Sequence, residues 1–397
     1  MSLSVTRPAA RRPRNRGAQI AEAASALFRD EGYHRVAVSE IAAAVGVTVA
    51  AIYRHYANKH DVLAAVVFEG LERLEDALGH VLLDGDAPAQ LDTTVLALAG
   101  VALDHRDLGV LIQRESRHLD EREQAELARR TDAVVARMVG MVEAVRNDLD
   151  HDDADFLVRS MFAVLASVSY HATLIGRAAG ERLLYRMASA VLQTRALPRR
   201  QSAGAPAANS PALPRASRRE AVLAAAIELL ARRGYAGVRM EDVGAAAGIA
   251  GPSIYEHFTG KPDLLMAALT RGAEWLQLGV SGAFAPGLPE DETLGLVLRS
   301  YIEFTLERTD LMAVFLTETI YLPDDERHAL RRVQHDYVSE WVQLLRAVRP
   351  ELSGPEAWFV THGVLGLVND YVNGGRRSRR ADLAEILLAV GGEVLSA

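Results

Sequence analysis

Apolar residues recur every three or four positions through Ala18–Arg29, Lys59–Leu82, Glu121–Val145 and Phe156–Ile175. The same rhythm returns in Arg219–Leu230, Pro262–Leu278, Thr293–Leu306 and Glu356–Val372. That spacing stacks side chains on one face of a helix, so each stretch predicts an amphipathic α-helix. Alternating stretches such as Val36–Val38 are too brief to build a sheet. Gly85, Pro88, Pro286, Pro289, Pro323 and Pro350 fall between the periodic segments, where helices stop. The expected fold class is all-α.

The letters repeat as well as the pattern. Gly32-Tyr33 returns as Gly234-Tyr235, an offset of 202, and at that offset Leu27 meets Leu229, Gly46 meets Gly248 and Ile52-Tyr53 meets Ile254-Tyr255. His55, Lys59, Asp61 and Leu63 likewise meet His257, Lys261, Asp263 and Leu265. Downstream the register slips by one: Asp107-Leu108 matches Asp310-Leu311, Glu115 matches Glu318 and Phe156 matches Phe359. A period near 200 is duplication of a whole unit, since solenoid repeats run about 20–50 residues. Between the copies, Pro198 to Ser217 is rich in Pro, Ala, Ser and Gly without a hydrophobic period, a linker by composition. Such a segment stretches to roughly 65 Å and spans about 25 Å as a coil.

Composition narrows the class. The 397 residues are 49% hydrophobic and 24% charged, as in soluble globular proteins, and contain no cysteine, which removes disulfides, thiolate metal sites and thiol nucleophiles. The basic N-terminus is followed by no apolar core, so it is not a secretory signal. Ser160 to Gly176 falls short of the ~20 apolar residues of a membrane span. A cytoplasmic protein without membrane contact is expected. The net charge of −8 is unevenly spread. Residues 1–60 hold nine Lys/Arg against four Asp/Glu, and residues 212–261 hold seven against five. Two basic islands therefore sit on an acidic body, and phosphate attraction follows the local field.

Each island contains two short helical segments around a glycine. In the first, Ser39–Val45 precedes Gly46 and a helix containing Ile52–Tyr56 follows. In the second, Glu241–Ala247 precedes Gly248, and Ile254–Phe258 follows. Glycine permits the left-handed turn between the helices, and Val47 or Ile249 would plug their angle. This is a helix-turn-helix, whose second helix fits a major groove.

The run Gly32-Tyr33, Glu40-Ile41-Ala42, Gly46-Val47-Thr48, Ile52-Tyr53, His55-Tyr56, Lys59, Asp61 and Leu63 resembles the TetR family of bacterial repressors. The second copy repeats it with Gly234-Tyr235, Asp242-Val243, Gly248-Ile249, Ile254-Tyr255, His257-Phe258, Lys261, Asp263 and Leu265. The resemblance covers about 47 residues per copy; the rest of each copy matches in helical character and length. It implies two TetR-like units in one chain, each an N-terminal helix-turn-helix domain plus a C-terminal helical bundle for ligand and dimerisation. The expected boundaries are 1–60 for the first reader with its basic arm, 61–197 for the first bundle, 198–217 for the linker, 218–262 for the second reader and 263–397 for the second bundle.

The resemblance also assigns roles. Tyr53, His55, Lys59, Tyr255, His257 and Lys261 look like phosphate contacts, which position without reading sequence. Lys59 and Lys261 open long helices, whose amides would assist anion binding. Ser39, Thr48, Val49, Ala50, Ala51 and Arg54 face DNA in the first copy. Their counterparts in the second recognition segment are Ala250, Gly251, Pro252, Ser253 and Glu256. Arg11, Arg12, Arg14 and Arg16, with Arg215, Arg218 and Arg219, could reach the minor groove or phosphates. Two departures matter. Ala37 and Arg239 stand where the family caps its second helix with Ser or Thr, a loss of about 1 kcal/mol. Glu256 replaces Arg54 and would be repelled by phosphate, though it can accept from cytosine. The first copy is therefore expected to supply more affinity.

An effector site is expected among the helices after each reader. Polar candidates are Glu115, His118, Tyr170 and His171 in the first copy and Glu318, Tyr321, His362 and Asn369 in the second, although a satisfied core or surface residue is the more common role for each. The acidic stretch around Asp148, Asp150, Asp152, Asp153 and Asp155 lacks the Gly and Glu of a calcium loop and reads as a helix N-terminus. There is no metal-binding histidine pair, nucleophile elbow or phosphate loop, so neither enzyme activity, metal nor cofactor is expected. The expected partners are operator duplex DNA and a small-molecule effector. Relatives of this kind pair their last two helices, so Phe156–Ile175 is expected near Glu356–Val372, making one chain a pseudo-dimer; a dimer of whole chains is the rival. A helical ligand-binding or scaffold protein with degenerate readers is the alternative from another class.

Overall fold

The computed structural model describes residues 16–79, 86–173, 175–195, 197, 217–249, 251–285, 287–373 and 382–397. Among them every regular element is helical. The first unit runs α1 (Arg16–Glu31), α2 (Val38–Val45), α3 (Val49–Ile52), α4 (Lys59–Gly79), α5 (Ala87–Asp104), α6 (Leu108–Gln113), α7 (Glu121–Val145), α8 (His151–Ala166) and α9 (Arg177–Gln193). The second runs α10 (Arg218–Arg233), α11 (Met240–Ala246), α12 (Gly251–Ile254), α13 (Lys261–Phe284), α14 (Glu290–Glu307), α15 (Thr309–Thr317), α16 (Asp324–Val348), α17 (Gly354–Asn373) and α18 (Leu383–Ser396). Helices α1 and α10 begin 202 residues apart, while α5 and α14, α7 and α16, and α8 and α17 begin 203 apart. The duplication thus embraces the whole unit, with its extra residue between α4 and α5. The linker residues 198–216 lie outside the described residues; Ser217, at their end, caps α10 by accepting from Glu220 N at 3.4 Å.

Each reader closes on a small core. Ile20, Phe28, Ile41, Ile52 and Leu63 are at most 1% exposed in the first, and Val222, Leu230, Val243, Ile254 and Leu265 are equally buried in the second. Burying such a side chain stabilises by about 1.5–3 kcal/mol, which lets helices of one turn persist where isolated ones would not.

The bodies meet along a seam of helices. Helix α8 packs on α17, and α9 packs on both α17 and α18. Phe156 and Tyr371 stack with centroids 5.3 Å apart, and Ser160 Oγ lies 3.2 Å from Tyr371 Oη. Glycines allow the close approach: a Cβ on Gly363 would meet Met187 Sδ at 2.8 Å, and one on Gly366 would meet Ser167 Cβ at 2.6 Å.

Helix α8 stops at Ala166, short of the Ile175 that periodicity predicts, while α17 runs on to Asn373. The difference has a local cause. Arg106 donates to the carbonyls of Val168, His171 and Thr173, satisfying backbone that the helix leaves unpaired. The acidic stretch near Asp150 does begin a helix: Asp150 Oδ1 accepts from Asp153 N at 2.8 Å and caps α8. Among the described residues, no helix is long and apolar enough to cross a membrane.

Candidate nucleic-acid interface

The turn between α2 and α3 is built as the glycine implies. Gly46 has φ 67° and Gly248 φ 67°, both left-handed. Val47 N donates back to Ala42 O at 2.9 Å and Ile249 N to Gly244 O at 2.9 Å, closing each helix. Val47 and Ile249 pack against the core. Thr48 caps α3, its hydroxyl accepting from Ala51 N at 3.3 Å. Ala37 and Arg239 provide no side-chain cap. Half of a capping box survives all the same: Ala37 N donates to Glu40 Oε2 at 2.6 Å, and Arg239 N donates to Asp242 Oδ2 at 2.9 Å.

Ile52 is buried while Tyr53, Arg54 and His55 beside it are exposed, Tyr53 to 50%. In the second reader Ile254 and Phe258 are buried, Tyr255 is 50% exposed and Glu256 is exposed. An exposed tyrosine next to a buried isoleucine in both copies is a presented side chain rather than a core one. Ser39, Thr48 and Ala50 are also exposed; Val49, Ala51, Ser253 and His257 are half-buried. Gly251 and Pro252 lie on α12. Arg14, with Arg11, Arg12, Arg215 and Ala250, lies outside the described residues. Arg16 and Arg218 are the exposed first residues of α1 and α10. Arg219 instead covers the Phe258 ring at 4.7 Å. At the matched place in the first copy, Tyr56 Oη donates to Gly17 O at 3.2 Å.

The two lysines have a role that spacing does not reveal. Lys59 Nζ donates to Tyr33 O at 2.8 Å and Val36 O at 2.9 Å, and lies 4.4 Å from the centroid of the Tyr33 ring. Lys261 Nζ does the same with Tyr235 O, Val238 O and the Tyr235 ring. Each ammonium ties the loop after the first helix to the start of the long fourth one. Desolvation lowers both lysine pKa values. At the start of α4, Asn58 Oδ1 accepts from Asp61 N at 3.0 Å, so a side chain already occupies one amide there.

Glu115, His118, Glu318 and Tyr321 gather at the joint between reader and body. Glu115 Oε2 accepts from Tyr33 N at 2.9 Å, and Glu318 Oε2 from Tyr235 N at 2.8 Å. Three residues on, His118 stacks on Tyr33 at 5.4 Å and Tyr321 stacks on Tyr235 at 5.0 Å. Sequence marks these four as candidates for ligand contact; the structure sets them in matched joints between reader and body. The histidine, half-buried beside Arg117, is pushed down to about 3, chiefly by desolvation. Tyr170, His362 and Asn369 do line a cavity, of about 200 Å³, in the second unit, and His171 stacks on His362 at 4.5 Å. A second cavity, of about 380 Å³, opens in the first unit. Neither is locatable by spacing, since its walls come from many helices. His60, Asp120 and Glu123 place ligand atoms within 4.8 Å of one another, but they are engaged already: His60 Nε2 is 2.7 Å from Glu123 Oε2, and Asp120 and Glu123 form a capping box.

The family model described as "Bacterial regulatory proteins, tetR family" matches residues 20–66 and again 222–268, and that of a "Tetracyclin repressor-like, C-terminal domain" matches 287–379. Residues 20–66 and 222–268 are thus two TetR-type reader segments in tandem, and a TetR-like C-terminal segment follows the second. These matched segments are the helix-turn-helix of DNA-binding transcriptional regulators. Among curated TetR-like relatives, the HTH-type transcriptional activator FasR of Mycolicibacterium smegmatis is 33% identical over 92 residues, covering 23% of this chain and 42% of FasR. The HTH-type transcriptional regulator CymR of Pseudomonas putida is 29% identical over 156 residues, covering 37% of this chain and 75% of CymR. The chain therefore spans less than half the length of the first of these relatives. Solved structures with some likeness include the ketosteroid transcriptional regulator KstR2 of Mycobacterium tuberculosis, with TM-score 0.42, 19% identity, 46% of this chain and 95% of that one. Another is AibR in complex with isovaleryl coenzyme A and operator DNA, with TM-score 0.39, 20% identity, 43% of this chain and 96% of that one.

Proposed function

We propose that this chain is a TetR-type, ligand-responsive repressor that binds operator DNA as a covalent pseudo-dimer, each copy contributing one reader. The observation that carries this function is the joint one of seam and tips. Helices α8 and α9 pack on α17 and α18 within one chain, which is the pairing that separate subunits of such regulators would make. Tyr53, Arg54 and His55 meanwhile stay exposed on one reader, and Tyr255 and Glu256 on the other. The segments 1–60 and 218–262 act as readers, 61–197 and 263–397 as ligand and pairing bodies, and 198–217 as the tether.

Tyr53, His55, Tyr255 and His257 contact phosphates, while Thr48, Ala50, Arg54 and Glu256 meet base edges. Lys59 and Lys261 support these contacts from behind by holding the loop. Unequal tips prefer an imperfect palindrome, with half-sites about 34–36 Å apart or a multiple of that. A small molecule in the bodies releases DNA to the extent that it binds the released state more tightly.

Selection of fragments from random duplex DNA, followed by sedimentation of the complex, tests this. One chain per imperfect two-half-site operator is expected, with affinity falling steeply as salt rises. Two chains per operator would replace the pseudo-dimer with a dimer of whole chains. Arg54→Ala should weaken binding more than Glu256→Ala, and the opposite ranking would reverse the assignment of the stronger reader. The exposed Glu256 favours one second account, in which the second reader is degenerate and the recovered site is a single half-site. A promoter fusion distinguishes repression from activation.

A further inference from the structure

The two cavities share a wall. Gln113, Ala163 and Asp370 line both, and the wall is a hydrogen-bonded chain: Gln113 Nε2 donates to Asp370 Oδ1 at 2.6 Å, and the Tyr170 hydroxyl donates to Gln113 Oε1. The chain crosses the unit boundary only once. The duplication sets Leu316 opposite Gln113 and Ser167 opposite Asp370, a pair that cannot make the same bond. A homodimer must form every seam contact twice, whereas two fused units are free to diverge.

The cavities have diverged in chemistry too. In the second unit, Tyr301 Oη donates to Asn369 Oδ1 at 2.6 Å, which leaves the Asn369 amide hydrogens and both His362 ring nitrogens without a hydrogen-bond partner among the described residues. The rings of Tyr301, Tyr337 and Phe315 frame these groups. Among the described residues that wall contains no lysine or arginine, so a carboxylate or phosphate ligand would find no cationic partner there. In the first unit, Leu71, Leu98, Val134, Phe162 and Val168 set the character. Its polar wall groups are mostly taken: Arg159 by Asp155 at 2.8 Å, Ser169 Oγ by Gly109 N at 3.0 Å, and the Ser116 hydroxyl by Ile112 O.

We propose that this single chain senses two chemically different small molecules, coupled through Tyr170–Gln113–Asp370. The second-unit cavity takes a compact neutral ring bearing a hydroxyl or carbonyl, held by Asn369 and His362. The first-unit cavity takes an aliphatic body. Occupying either cavity presses on the shared wall, and linkage requires that each ligand change the other's affinity by the same factor. The proposal deepens the effector role above, but its test does not need DNA.

Calorimetric titration of the full chain with 4-ethylphenol and with 1-octanol provides that test. One site per chain is expected for each probe, without mutual exclusion, and saturating 1-octanol should shift the 4-ethylphenol affinity by about fivefold. Asn369→Leu should weaken 4-ethylphenol about tenfold while 1-octanol binding stays within about twofold, which also reports that the variant is folded. Gln113→Leu, which copies Leu316, should abolish the coupling, so that each probe binds the variant with the same affinity whether or not the other is present. Asp370→Asn keeps a hydrogen-bonding partner and should retain it. Competition for one site, absence of binding by either probe, or coupling that survives Gln113→Leu would overturn the proposal. Failure to bind DNA while both probes still bind would strike the regulator account and leave this one standing.

Discussion

Arg117 of the first unit donates to Glu318 of the second at 2.7 Å, and Glu318 is 1% exposed. The matched buried carboxylate, Glu115, takes its arginine from next door, Arg114. Each glutamate fixes a reader through a tyrosine amide, so the first unit supplies the charge that neutralises both hinges. Arg35 Nη1 adds another contact between the units by donating to Ile320 O at 2.6 Å.

Removing Arg117 leaves a buried carboxylate short of its countercharge. Arg117→Ala should cost about 2–4 kcal/mol, toward the low end because the guanidinium is partly exposed. Adding Glu318→Gln should recover part of that loss in urea unfolding, since the remaining group is then neutral. No recovery would mean the pair is incidental.

Lys59→Met strips a donor from the carbonyls of Tyr33 and Val36. A stability loss of about 2 kcal/mol is expected. A lysine serving DNA phosphates alone would leave the unfolding midpoint where it was, so stability measured without DNA separates the two roles.

Gly46 and Gly32 both have positive φ, at 67° and 81°, but only Gly32 is also crowded: a methyl group there would meet Ile320 Cδ1 at 2.5 Å. Gly46→Ala should cost about 1–2 kcal/mol, the penalty of a left-handed alanine. Gly32→Ala should cost more, and Ile320→Ala in the same chain should return the excess. Strict additivity of the two changes would show that the hinge does not touch the opposite unit.

Three histidines are held neutral by burial: His118 is pushed down to about 3, His171 to about 2 and His362 to about 4. Desolvation is the largest cause in each. The unfolded chain binds these protons near the ordinary value of about 6.5 and the folded chain does not. Their stabilising contribution is therefore complete above about pH 6.5 and declines as pH falls toward the folded values, by at most about 1.4 kcal/mol per pH unit for each. Urea unfolding at pH 7.5, 6.5 and 5.5 should show the decline, and His118→Gln and His362→Gln should each flatten it.

Much of the helical fold is legible in the letters. Glu121–Val145 coincides with α7, because a long charged helix with one apolar stripe has an unambiguous period. Helices α9 and α18 do not stand out, as their many small residues blur that stripe. The apolar period of Phe156–Ile175 overruns the helix, because the arginine that captures the unwound carbonyls sits 62 to 67 residues earlier in the chain. For the interface, the tyrosines are legible as a repeated motif, whereas the lysine clamps are not, since backbone carbonyls leave no mark in the letters.

The amino-acid order alone determined the duplication, the all-helical class and the two glycine-turned readers, because period, register and left-handed turns are properties of neighbours along the chain. Tertiary structure decided which polar residues meet. Glu115 and Glu318 took the backbone amides of Tyr33 and Tyr235, and Gln113 found Asp370 across the seam. Such pairings depend on how two folded faces close against each other, and burial then makes the unpaired alternative costly.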